Sequence, residues 1–138
     1  MIMNYTYDET IISDLHKDAR GFRPSQDWWA MWQDALPAGR QLIWDNLCSE
    51  LDAEIERERA EQAMALQSFE KQISANLALG AGDRNTAIKW MLQGMNLSVS
   101  DLCYGGSYIC FELGLNYSMA AEFDPLCAEL LDQMCLAA

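Results

Sequence analysis

Apolar residues recur along this chain at spacings of three and four, the period of a helix face, and the alternation a strand needs is hard to place anywhere. Asp8 or Thr10 can open a short helix carrying Ile11, Ile12 and Leu15, which should stop near Gly21, ahead of Pro24. Ser25, three residues before Trp28, opens "SQDWWAMWQDAL", in which Trp28, Trp29, Met31 and Trp32 crowd a single turn. Pro37 fits the first position of a helix, where its missing N–H costs nothing, and only Gly39 interrupts the run from there to Leu79. A continuous helix over about residues 38–79 is expected, some 60 Å long at about 1.5 Å per residue. Its apolar positions gather at the two ends, Leu42, Ile43, Leu47, Leu51 and Ile55 first, then Leu66, Phe69, Ile73 and Leu77. Between them "DAEIERERAEQ" is nearly all charged, which reads either as a solvated helix laced by short-range ion pairs or as an antiparallel seam between two copies.

Glycine and capping residues divide the remainder. Gly80 or Gly82 should end the long helix, and Asp83 can cap the next, whose inner face carries Ala87, Ile88, Met91 and Leu92. Ser98 or Ser100 can open the stretch that follows. Leu102, Ile109, Phe111 and Leu113 then supply helical spacing up to Gly114, and residues 117–123 restart it as the second arm of a hairpin. Asp124-Pro125 reads as the cap and first residue of a last helix. The predicted fold is therefore all-α, with six or seven helices, one long central helix and a carboxyl-terminal helical hairpin. All 138 residues, 51% of them apolar, are read as one domain: amino-terminal helices over 1–36, the long helix over 37–79, and a helical cluster over 80–138.

Charge narrows the functions this fold can serve. Twenty-one acids against nine bases leave a net charge of −12, which repels phosphates and anionic membrane surfaces within a Debye length of about 8 Å. After Lys89 no Lys or Arg occurs, while Asp101, Glu112, Glu122, Asp124, Glu129 and Asp132 remain. The outline of residues 101–123 resembles a helix-turn-helix, but a DNA reader draws most of its affinity from phosphate-neutralising cations, and this segment has none. No apolar stretch reaches the roughly 18 residues of a membrane span.

The remaining chemistry-bearing residues read as structural. Gly105-Gly106 lacks the flanking pattern of a nucleotide loop, and two helical glycines cost about 1 kcal/mol each, so either they break the helix or a neighbouring backbone packs against them. Tyr104, Tyr108 and Tyr117 would then border a tight seam. The single His16, in the charged run "DLHKDAR", is expected in solvent, without a nucleophile to serve as a base. Glu54, Glu58 and Glu61 lack the ExxH partner of a di-iron bundle. The five cysteines contain no CxxC pair and follow no signal peptide, so reduced, buried thiols are expected rather than a metal site or disulfides. No catalytic residue, metal or cofactor is assigned.

Three blocks, "YDETIISDLHKDARGFRPS", "GAGDRNTAIKWML" and "YGGSYICFELGLNYS", in this order around a long charged helix, resemble a group of small proteins of tailed bacteriophages and prophages. The resemblance implies an accessory protein acting in the bacterial cytoplasm and carries over no catalytic residue. Small acidic proteins of that setting often resemble inhibitors of host nucleic-acid enzymes, of the anti-CRISPR or anti-restriction kind. On that reading Glu54, Glu58 and Glu61 of the long helix, with Glu122, Glu129 and Asp132 of the tail, meet a basic surface on a nuclease that otherwise holds phosphates. The alternative is an assembly or adaptor protein that dimerises through the long helix and docks a component through Trp28, Trp29, Trp32 and Tyr108, whose apolar contacts salt would not screen. The indoles serve equally as core, since each buries on the order of 200 Å².

Overall fold

The computed structural model describes residues 4–136. Among them there are seven α-helices and one 3-10 turn, with no strand: α1 (Ile12–Arg20), α2 (Gln26–Asp34), α3 (Pro37–Ala78), α4 (Arg84–Gly94), α5 (Val99–Tyr104), α6 (Gly106–Leu113), the 3-10 turn Tyr117–Met119, and α7 (Ala120–Leu136). The all-α fold, its long helix and the carboxyl-terminal hairpin of α6 and α7 are as the sequence pattern predicts. Where the sequence reads as one domain, the contacts divide into two compact units, Met1–Arg59 and Ala60–Ala138, and α3 contributes its first half to one and its second half to the other.

Most helix ends lie where the capping residues place them. The Ser25 hydroxyl accepts the Trp28 N–H at the start of α2, and Asp83 accepts that of Thr86 at the start of α4. Ser98 and Asp101 form a reciprocal capping box at α5. Gly80, at φ +106°, turns the chain out of α3 so that the Ala81 N–H reaches the Asn76 carbonyl, the six-to-one bond of a glycine C-cap. Two starts differ from expectation. α1 opens at Ile12, because the Asp8 carboxylate closes a tight turn on Thr10 instead of capping a helix. Asp124 and Pro125 lie inside α7, whose start is set upstream by Asn116, the side chain of which accepts the Ser118 N–H. Asp124 caps a different helix: its carboxylate accepts the Gly106 N–H at 2.6 Å.

In the amino-terminal unit Ile12, Leu15, Trp32 and Leu47 are buried, and Tyr7, Trp28, Trp29, Ile43 and Trp44 close around them. Polar ties complete it. Gln41 accepts the N–H groups of Thr6 and Tyr7, binding the amino-terminal segment to α3. Arg40 donates to the Trp32 and Gln33 carbonyls at the end of α2, pairs with Glu9 at 2.8 Å and lies over the Trp32 ring. Contrary to the sequence reading, His16 is 2% exposed. Ile12, Leu15, His16 and Ala19 share one helix face, so the imidazole points inward, edge-on to Phe22 and Trp28, with Nδ1 2.6 Å from the Phe22 carbonyl.

The carboxyl-terminal unit has a larger apolar core, built on Phe69, Ile73, Ile88, Leu92, Ile109, Cys110, Phe123 and Cys127. Close approach of α6 to α7 depends on the glycine pair. A Cβ at Gly106 would overlap the Ala120 carbonyl and lie 2.8 Å from the Ala120 Cα. Gly105, at φ +71°, breaks α5 from α6, so both functions proposed for the pair are present, one at each residue. Cys110 and Cys127 are buried as expected, whereas Cys103 and Cys135 are exposed and Cys48 is half-buried. No helix among the described residues is long and apolar enough to cross a membrane.

Candidate functional site

The six acids and four aromatics singled out in the sequence are divided between the two units: Glu54, Glu58, Trp28, Trp29 and Trp32 belong to the first, and Glu61, Glu122, Glu129, Asp132 and Tyr108 to the second. On α3, every residue from 55 to 64 is exposed, and this polar stretch is tied by pairs one turn apart, Glu54 with Arg57 and Glu56 with Arg59. The Arg57 hydrogen bond holds the Glu54 carboxyl below its ordinary range. Glu58 and Glu61 are exposed on the same stretch. In the carboxyl-terminal unit Arg84 bridges Glu70 and Glu122, with Oε1 of Glu122 2.5 Å from its Nε, and its guanidinium lies over Phe69. Lys89 pairs with Glu129 at 3.0 Å, and Asp132 is exposed. At least three of the six acids, Glu54, Glu122 and Glu129, therefore already have an intramolecular cation, which lowers their value as contacts for a foreign one.

The tryptophans are redistributed as well. Trp32 is 2% exposed and belongs to the amino-terminal core, stacked at 5.6 Å on Trp28, which meets Trp29 edge-on. Trp28 and Trp29 are half-buried around it, so the indole cluster is a packed element and Trp32 offers no surface to a partner.

An aromatic face lies on α5 and α6, to which the sequence pattern assigns Tyr104 and Tyr108 but not Phe111. Helix α6 buries Gly106, Ile109 and Cys110, with Leu113 completing the stripe, and this turns Phe111, grouped with Ile109 and Leu113 by the sequence pattern, outward. Phe111 is 68% exposed and Tyr104 73%, with half-buried Tyr108 beside Tyr104 at a ring separation of 6.3 Å. Desolvation, hydrogen bonding to Glu112 and the nearby charge of Asp101 together push the Tyr108 phenol above its ordinary value. The spacing 106, 109, 110, 113, in phase with Leu102, was the available signal, since Phe111 lies two residues from Ile109 and so on the opposite side of the helix.

Elsewhere in this unit a cleft of about 350 Å³ is lined by Leu92, Leu97, Leu102, Leu130 and Met134, with the carboxamides of Gln93, Asn96 and Gln133 at its edge. It holds no acid, base or nucleophile. Among the described residues no group of three or more His, Cys, Asp or Glu side chains is placed to hold a metal ion. Comparison with protein-family models, with curated proteins and with solved structures finds no match to this chain.

Proposed function

We propose that this protein works by binding, without chemistry of its own, and that its partner is a nucleic-acid-handling protein whose basic surface it occupies, as an accessory protein of a tailed phage would do in a bacterial host. The observation that carries this reading is the charge layout after Lys89: six acids and no cation, on helices that pack a core through Leu102, Ile109, Phe123 and Leu130. Arg84 and Lys89, the nearest cations before it, are engaged by Glu70, Glu122 and Glu129. Such a surface repels nucleic acid and speeds encounter with Lys- and Arg-rich grooves. Given the intramolecular pairs, the contact acids of this reading narrow to Glu58 and Asp132, to which the structure adds exposed Glu112.

The test is affinity capture of the tagged protein from a bacterial lysate at about 0.1 M salt, with a parallel wash at about 1 M. A nucleic-acid enzyme retained at low salt, released at high salt and displaced by added DNA is the expected result. A partner that resists 1 M salt would instead favour the adaptor reading, which the exposed rings of Tyr104 and Phe111 support.

A further inference from the structure

We infer that the aromatic face of α5 and α6, formed by Tyr104, Tyr108 and Phe111 and flanked by Asp101 and Glu112, is a docking point for an arginine- or lysine-bearing protein segment. The inference rests on the basic-partner reading above and assigns it a place.

Two largely exposed rings, with half-buried Tyr108 between them in the sequence, stand on about two turns of chain, while Ile109 and Cys110 of the same helix are fully buried. An aromatic ring presents a negative π-face, which attracts a guanidinium or ammonium group. Here the Coulomb term has the same sign, because Asp101 and Glu112 sit beside Tyr108 and no cation follows Lys89 in the chain. The molecule uses the same combination internally: Arg84 lies over the Phe69 ring while paired with Glu70 and Glu122, and Arg40 lies over Trp32 while paired with Glu9. The outer face repeats that arrangement with the cation supplied from outside. Charge argues against the other occupants. A two-fold pairing of this face with a second copy would set Asp101 and Glu112 against themselves, and nucleic acid or an anionic membrane would meet the same repulsion.

The test is calorimetric titration of the full chain with a hexaarginine peptide at about 50 mM salt, with sedimentation to follow self-association. Tyr104→Leu with Phe111→Leu keeps the apolar bulk and removes both π-faces; circular dichroism checks that the fold is retained. The double variant is expected to bind at least about fivefold more weakly. Glu112→Gln should weaken binding severalfold, and Asp34→Asn, exposed on α2 and assigned no contact, less than about twofold. Peptide binding that is unchanged in the double variant and falls equally with each acid removed would overturn this inference and leave the basic-partner reading as diffuse attraction. No binding by the wild-type chain would overturn the reading itself. Self-association abolished by the double variant would give the face to a second copy and overturn the inference.

Discussion

The two units carry the same net charge, −6 each, from twelve acids and six bases up to Arg59 and nine acids and three bases beyond it. They reach order by different means. The amino-terminal unit closes a few large aromatics over a small apolar centre and relies on directed polar contacts: Gln41 to the backbone of Thr6 and Tyr7, Arg40 to the end of α2, the two-bond pair of Arg20 with Glu50, and His16 to the Phe22 carbonyl. The carboxyl-terminal unit rests on a continuous apolar core and on glycines that let helices approach closely. A buried Leu or Phe side chain contributes about 2–5 kcal/mol against truncation, an exposed ion pair less than about 1. Equal charge thus leaves the second unit with Arg84 and Lys89 spent in pairs with Glu70, Glu122 and Glu129 and with further acids on its surface, while the first uses Arg20 and Arg40 as part of its structure.

The largest expected effects come from emptying each core. Trp32→Ala and Phe123→Ala should each cost about 3–5 kcal/mol in denaturant unfolding; a loss under about 1 for Trp32→Ala would return the indole cluster to the surface and remove the contrast. Next, Gly106→Ala forces a methyl into the Ala120 backbone and should cost about 3 kcal/mol, whereas Gly21→Ala, at φ +87° with open space around it, should cost only about 1 from backbone strain. Similar losses for the two would mean that conformation, not close approach, is what both units ask of glycine. His16→Ala removes the partner of the Phe22 carbonyl and should cost about 1–3 kcal/mol, read most simply by tryptophan fluorescence, since Trp28, Trp29, Trp32 and Trp44 all lie in that unit.

Acid gives the smallest effect. Hydrogen bonds from Arg20 and Arg84 hold the carboxyls of Glu50 and Glu70 below the ordinary 4.5. The folded state therefore binds fewer protons there than the unfolded chain, and the stability these pairs add is complete above about pH 5 and lost as the pH falls through the depressed values. Melting curves at steps from about pH 7 to 3 should be flat at first and then decline, and Arg20→Gln should remove part of that decline. A decline already present between pH 7 and 6 would point to a different titrating group.

Individual residues show how far the sequence could be read. Ser25, Pro37, Gly80, Asp83, Ser98 and Gly114 mark helix ends by local chemistry, with a donor, an acceptor or a left-handed turn within a few residues, and each acts where its neighbours imply. The misreadings involve packing or pairing that the local sequence pattern does not show. Asp124 has the local form of an N-cap, yet the N–H it accepts belongs to Gly106, eighteen residues away. His16 sits in a charged run, but Phe22 and Trp28 fold over it. Phe111 is apolar and stands among core residues in the sequence, but the buried stripe of Gly106, Ile109 and Cys110 leaves it on the outer side of α6. Glu122 and Glu129 look like free acids in a tail without cations, and Arg84 and Lys89 reach them from another helix.

Helix content, the long α3, the glycine pair and the acidity were determined by the sequence alone, because backbone propensity, capping and net charge depend on nearest neighbours and sums. Which acids keep their charge to themselves, which aromatics are core and which face outward was decided only by the tertiary structure, because pairing and burial depend on what lies across a helix interface, and that distance is not written in the order of the residues.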